Sequence, residues 1–133
     1  MPQHIENKTS IKVAGIPFKK IKDAALGQGY ELSLVFVTSK ISHEINNKYR
    51  GKDKSTNILS FPYSKDDGEI LMDLNLIKEE ARSQNENFKT YITYLFIHGL
   101  IHLKGFDHGS RMEGEEKKIR EKFKTLFSSS ELF

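Results

Sequence analysis

The chain contains no cysteine among its 133 residues. This absence excludes disulfides, thiolate metal sites and a cysteine nucleophile, and it fits a reducing compartment. The chain also lacks a long apolar segment, because its longest uncharged run, Thr90 to Leu103, is too short to cross a bilayer. No apolar signal core lies between Met1 and Ser10. We therefore expect a soluble cytoplasmic protein with no membrane partner.

Positive charge is only slightly in excess. The formal net charge is +3 and the pI is near 9.0, which permits an anionic partner without requiring one. With 37% apolar and 29% charged residues, the composition is ordinary for a soluble globular protein. The length suits one hydrophobic core, and no repeat or low-complexity segment divides it. We predict a single domain over residues 1–133.

Hydrophobic periodicity predicts a small α/β (α+β-like) domain, with a few-stranded mixed sheet flanked by helices. The predicted strands cover residues 30–37, 58–61 (ended by Pro62) and 69–72. The predicted helices begin at Ile16–Pro17, at Ser39, after an Asp73 cap, at Thr90, and at a capping box of Ser110 and Glu113. The helix from Thr90 is the most apolar, so we expect it to be central and buried.

Three of the five histidines, His98, His102 and His108, lie within eleven residues. The first two are four apart and share one face of the predicted central helix. Gly105 can end this helix, so that the following turn brings His108 back toward the other two. Three imidazoles without cysteine suit one divalent metal ion, above all Zn²⁺, and leave a coordination position open for chemistry.

Other readings of the histidines stay open. Histidines on a buried helix are often hydrogen-bonded core residues. A closed structural zinc site would need a fourth ligand, for which Asp107 is the obvious local candidate. Asp107 could instead orient an imidazole or shape the turn.

Gly99 separates this motif from the His-Glu-x-x-His of zinc peptidases, because it stands where those enzymes carry a glutamate base. Glycine inside a helix costs about 1 kcal/mol relative to alanine. Close approach of substrate or of another backbone element would explain it, and so would packing against a neighbouring helix.

A basic block lies upstream, between Asn46 and Pro62. Four cations fall within seven residues, from Lys48 to Lys54. The guanidinium of Arg50 suits a phosphate. The remaining predicted binding residues add positive charge or hydrogen-bond donors: Lys52, Lys54, Ser55, Thr56 and Asn57. A merely solvated lysine-rich loop is the alternative.

Together the two blocks resemble the YbeY family of metal-dependent endoribonucleases, which act in ribosomal RNA maturation. The family's histidine signature is matched from His98 to His108 without a gap, and its arginine block from Asn46 to Pro62. A family strand that begins Gly-Asp-Ile is Gly68-Glu69-Ile70 here, so glutamate replaces aspartate.

The resemblance implies a small α/β fold and a zinc ion held by His98, His102 and His108. It places Arg50 in the active cleft, and it implies processing of ribosomal RNA near the 3′ end of the small-subunit RNA, with ribosome quality control. The expected partners are single-stranded ribosomal RNA, the small ribosomal subunit and its associated factors, and not DNA. The general base stays open between Asp107 and Glu69, and the RNA 2′-hydroxyl could itself be the nucleophile.

Two other functions remain alternatives. One is a zinc-dependent peptidase or amidase, which the missing glutamate disfavours. The other is a non-catalytic, ribosome-associated RNA-binding protein whose metal only connects the helix to the following turn.

Overall fold

A four-stranded mixed sheet with helices on both faces forms the fold in this computed structural model, which describes residues 3–105 and 109–123. This confirms the predicted small α/β (α+β-like) domain. In chain order the elements are β1 Gln3–Asn7, α1 Phe18–Leu26, β2 Glu31–Val37, α2 Ser39–Arg50, β3 Ile58–Ser64, β4 Asp67–Asp73, α3 Leu74–Ser83, α4 Phe88–Leu103 and α5 Ser110–Lys122. Strand β1 was not predicted, because Ile5 is its only apolar residue and no alternation marks it.

The strand order β1-β2-β4-β3 makes β3 an edge strand. Strands β1 and β4 run parallel to β2, whereas β3 runs antiparallel to β4. The prediction that Pro62 ends a strand is wrong, because β3 continues to Ser64. Proline lacks an N–H, but an edge strand has one side without a ladder partner and tolerates it. The pairing register shifts between Pro62 and Ser64.

Alternation along β2 divides the core between the two faces of the sheet. Leu34 and Phe36 are buried in the larger cluster, to which α1, α3, α4 and α5 also contribute. Val35 and Val37 are buried in a smaller cluster on the opposite face, against which α2 packs. The period of two therefore places α4 and α2 on opposite sides of one sheet.

Side-chain caps determine where three helices begin. The side chains of Thr38, Asp73 and Asn87 each accept a hydrogen bond from the backbone N–H three residues later. The predicted Asp73 cap is thus confirmed. Asp73 also accepts a hydrogen bond of 2.9 Å from Ser39 Oγ, which connects the start of α2 to the start of α3.

Helix α5 begins differently from the prediction. Gly109, not Ser110, occupies the N-cap position, and Ser110 is the first helical residue, so the predicted capping box is wrong. The apolar spacing of the sequence predicts a core face for this helix of Met112, Ile119, Phe123 and Phe127. Met112 and Ile119 are buried in the larger cluster, and Phe127 lies outside the described residues.

Helix α4 crosses the larger core, as the sequence predicted. Ile92, Phe96 and Leu100 have no exposed surface. The Phe96 ring meets that of Phe18 edge to face at a centroid distance of 5.0 Å, a favourable aromatic geometry. Within residues 3–105 and 109–123, no helix combines the length and apolar character needed to span a membrane.

Candidate active site

His98 and His102 occupy one face of α4, toward its C-terminal end. Their ring centroids lie 4.8 Å apart and the ring planes meet at 87°. The adjacent Ile97 and Ile101 are fully buried, whereas both imidazoles are only partly buried. The core therefore fixes the helix backbone while the two rings reach a solvent-accessible surface.

Glu116 of α5 orients the first imidazole. Its Oε1 lies 3.3 Å from Nδ1 of His98, and its side chain is only 14% exposed. A carboxylate on one ring nitrogen is the usual arrangement for a metal-binding histidine, because it directs the other nitrogen toward the metal. The sequence does not single out Glu116, because it stands among the alternating charges that are typical of an exposed, salt-bridged helix face. Its neighbour Glu115 does lie in such pairs, with Lys118 and Lys104.

At Gly99, α4 packs closely against the sheet. A Cβ there would lie 2.8 Å from Cδ1 of Ile58 and 3.2 Å from Cδ1 of Ile70. Ser60 Oγ donates a hydrogen bond of 3.3 Å to the Gly99 carbonyl. The glycine is thus explained by close approach of β3 and β4, not by a second helix. A glutamate side chain has no room at this position.

A cleft of about 510 Å³ opens beside the histidines. Residues of α4, β3 and the segment after α2 line it, and they include both histidines and the predicted phosphate ligand Arg50. The full lining is Arg50, Thr56, Asn57, residues 58–62, His98 and His102. Arg50 and His98 lie 48 positions apart in the sequence, and both line the same cavity.

The segment after α2 is held in place by two buried polar side chains. Gly51 ends α2 in the left-handed conformation, with φ of 66°. Ser42 Oγ donates to the carbonyl of Thr56 at 2.7 Å and accepts from its N–H at 3.0 Å. Asn46 Nδ2 donates to the Lys54 carbonyl at 2.9 Å. Neither supporting role is evident from the sequence, because the partners of Ser42 and Asn46 lie eight or more positions away.

The structure separates the predicted binding residues into two sets. Thr56 and Asn57 line the cleft with Arg50, whereas Lys52, Lys54 and Ser55 are not among its lining residues. Both lysines are exposed on the loop. The amide of Asn57 donates a hydrogen bond of 2.9 Å to Glu80, so Asn57 also connects this segment to α3.

Glu69, one of the two candidate bases, lies elsewhere. Consecutive strand residues point to opposite faces, and Ile70 faces α4, so Glu69 faces the α2 side of the sheet. Its Oε1 accepts a hydrogen bond of 2.6 Å from the Tyr63 hydroxyl, and its Oε2 lies 3.5 Å from Ser33 Oγ. Glu69 is not among the residues that line the histidine cleft, so the geometry gives no support to its role as the base.

The histidine pair fits a divalent metal ion in three respects. The two imidazoles share a helix face, they project into a cleft, and one has a carboxylate on its other ring nitrogen. Residues 3–105 and 109–123 contain no group of three or more possible ligands in one place. The predicted third ligand, His108, and the candidate base Asp107 lie outside the described residues.

The molecule is thus a small α+β protein whose buried helix presents two histidines to a cleft that also contains an arginine. The family model described as Endoribonuclease YbeY matches residues 4–131. A protein named endoribonuclease YbeY from Colwellia psychrerythraea is 38% identical over 96 residues, which is 67% of this chain and 62% of that protein. Its namesake from Nitrosomonas eutropha is 36% identical over 125 residues, 88% of each chain.

The chain belongs to the YbeY family. The fold agrees with a solved structure as well. The solution structure of a Thermotoga maritima protein, 24% identical in sequence, matches with a TM-score of 0.68 over 97% of this chain and 94% of that one. At this identity the likeness supports the fold alone.

Proposed function

We propose that this protein is a metal-dependent endoribonuclease that cleaves single-stranded RNA. The observation that carries the proposal is the meeting of Arg50 with His98 and His102 in one cleft. A planar guanidinium is suited to phosphate, and the described residues include no ion-pair partner for Arg50. The printed names of the relatives, endoribonuclease YbeY, support the same activity.

The proposed cofactor is one divalent ion, Zn²⁺, held by His98, His102 and His108. When bound, such an ion polarises a phosphate oxygen or makes a bound water more acidic. Glu116 holds the His98 ring in position through its Nδ1. The two helical ligands are thus pre-oriented by the core packing of α4 and by one contact from α5.

The chain's own contribution to the reaction centres on Arg50. We propose that it holds the scissile phosphate and stabilises the negative charge that develops there. Ser42 and Asn46 fix the backbone of the segment that follows Arg50. For the general base we retain Asp107, and we retain the RNA 2′-hydroxyl as the alternative nucleophile.

In the cell we propose a role in ribosomal RNA processing, at the 3′ end of the small-subunit RNA, and in ribosome quality control. The proposed partners are the small ribosomal subunit and its associated factors, and the proposed location is the cytoplasm. These proposals rest on the family membership and on the mild positive charge of the chain.

Cleavage of an end-labelled single-stranded RNA tests the activity. We expect Arg50→Ala to lower kcat by about 100-fold or more, the usual effect of removing a transition-state donor. His102→Ala should also lower kcat, because it removes a proposed ligand of the metal ion. Arg50→Lys should remain defective, because it keeps the charge but loses the planar pair of donors. Lys52→Ala, on the exposed loop outside the cleft lining, is the matched control. Full activity of both alanine variants in metal-free reagents would rule the proposal out.

A zinc peptidase or amidase is the second candidate, and the unpaired edge of β3 beside α4 favours it. An extended peptide can pair with such an edge. Two features oppose this function: Pro62 interrupts the edge, and the sheet leaves no room for a glutamate at Gly99. Release of casein fragments, abolished by His98→Ala, would support it.

A further inference from the structure

A second cavity, of about 450 Å³, lies on the α2 side of the sheet. We call it the tyrosine cavity, because two exposed tyrosines lie on it. Its lining residues are Glu44, Ile45, Lys48, Tyr49, Phe61, Tyr63, Glu69 and Leu71. None of the catalytic residues proposed above lines it. Its apolar lining comes from the smaller core cluster and the residues that pack on it, so it is a stable surface of the fold.

The two tyrosines are unusual in their exposure. Tyr49 is 63% exposed and Tyr63 is 62% exposed. In the part of the chain that the structure describes, the only other exposed large hydrophobic residue is Ile5, on the far edge of the sheet. Exposed aromatic surface concentrated at one cavity marks a binding surface.

Both tyrosine rings are held by specific contacts. The Tyr49 ring meets Phe61 edge to face, with a centroid distance of 5.8 Å. The Tyr63 hydroxyl donates to Glu69 at 2.6 Å. This hydrogen bond to the carboxylate raises the pKa of Tyr63 to about 12, so the phenol stays neutral at physiological pH. Each ring therefore offers a positioned aromatic face.

The tyrosine cavity adjoins the arginine cleft. Phe61 lines both of them. The last turn of α2 also contributes lining residues to both cavities. Lys48 and Tyr49 line the tyrosine cavity, and the next residue, Arg50, lines the cleft. The Lys48 ammonium lies 5.3 Å from the centre of the Tyr49 ring. Positive charge thus lies directly beside an aromatic surface, the combination by which proteins bind single-stranded nucleic acid.

We propose that the tyrosine cavity binds one unpaired nucleobase of the RNA strand whose phosphate lies at Arg50. This inference rests on the proposed function and adds a substrate-positioning site to it. The base stacks on Tyr49 or Tyr63, and Lys48 faces the adjoining phosphate. A base-paired nucleotide cannot enter, so the cavity gives the enzyme a physical reason to prefer single strands.

The polar lining of the cavity adds a preference among bases. Glu44 presents a carboxylate whose two oxygens accept hydrogen bonds, whereas the oxygens of Glu69 already accept from Tyr63 and Ser33. Guanine has two adjacent donors on its Watson–Crick edge, whereas uracil has one donor between two acceptors. The site therefore favours guanine over uracil at the bound position.

An abasic scan of one RNA substrate tests the proposal. A short single-stranded RNA with a single cleavage site is synthesised with one abasic nucleotide at each position in turn. For wild-type protein we expect one position beside the cleavage site at which loss of the base raises KM roughly 5- to 150-fold, the range for one stacked base. In the double variant Tyr49→Ala/Tyr63→Ala, KM on the intact RNA should rise by a similar factor. Removing the base at the sensitive position should then raise KM no further. Tyr49→Phe and Tyr63→Phe keep the aromatic faces and serve as matched controls.

The outcomes separate this inference from the proposed function. Cleavage by wild type with no sensitive position, or an abasic effect that survives in the double alanine variant, overturns the base site alone. RNA binding that the alanine variants weaken, in the absence of any cleavage, supports the base site and contradicts the nuclease. A wild-type protein that neither binds nor cleaves the RNA overturns both.

Discussion

Replacing Gly99 with alanine should destabilise the protein, although alanine is the better helix former. In an unhindered helix the change would stabilise by about 1 kcal/mol. Here the new Cβ would lie 2.8 Å from Cδ1 of Ile58 and 3.1 Å from Ser60 Oγ, both closer than normal contact. Overpacking of this kind costs about 1–3 kcal/mol, and a lost hydrogen bond from Ser60 about 1 kcal/mol more. We expect a net loss of roughly 1–3 kcal/mol in the free energy of unfolding.

Gly114 provides the matched control for this experiment. It lies within α5, it is exposed, and nothing lies within 4 Å of a Cβ built on it. Gly114→Ala should therefore be neutral or stabilise by up to about 1 kcal/mol. The two substitutions are chemically identical, so a difference in sign isolates the close packing of α4 on the sheet.

Urea unfolding of the variants measures the effect, with the midpoint and slope fitted together. Ile58→Val removes the Cδ1 atom that the new methyl group would meet first. In the Gly99→Ala background it should cost less than in wild type, with a coupling of about 0.5 kcal/mol or more. If Gly99→Ala proved as stabilising as Gly114→Ala, or if the cycle showed no coupling, the packing argument would be refuted.

Two further predictions concern carboxylates. Hydrogen bonds from Lys19 and Lys22 hold the pKa of Asp23 below its ordinary 3.8, so its stabilising contribution is present above that pH and is lost as the pH falls through the lowered value. In Asp23→Asn the free energy of unfolding should fall less steeply than in wild type as the pH is lowered. The same slope in both proteins would contradict this prediction. Glu116→Gln should weaken Zn²⁺ binding by roughly 10- to 100-fold in a competition titration. The exposed Glu113→Gln is its control, and equal affinities would refute the positioning role.

Most of the fold could be predicted because its central elements carry strong periodic signals. Strand β2 alternates, α2 repeats every fourth residue, and α4 is continuously apolar, so each was found within a few residues of its ends. The two failures among the strands have one physical source, which is the position of the strand in the sheet. Strand β1 has a single apolar residue, and Pro62 is tolerated only because β3 lies at an edge. Local sequence does not encode which strand is at an edge.

The candidate site, like the fold, could be predicted only in part from the sequence. Residue type and spacing were enough to select His98, His102 and Arg50, because few other side chains suit a metal or a phosphate. Glu116 was missed, since it stands among alternating charges that are typical of a solvated helix face. Its contact with His98 spans 18 positions and depends on how α5 packs against α4. Supporting residues of this kind have no local signature.

The central place of β4 has a consequence for the order of folding. Strands β3 and β4 adjoin in sequence and can pair early as a hairpin, whereas residue 34 of β2 pairs with residue 70 of β4, a separation of 36. Closing that long loop brings α2 with Arg50 and Tyr49 against the hairpin. The tyrosine cavity is therefore completed in this slow step, whereas the cleft also needs His98 and His102 of α4, which follows β4 in the chain. A nascent chain that ends before β4 has neither of them.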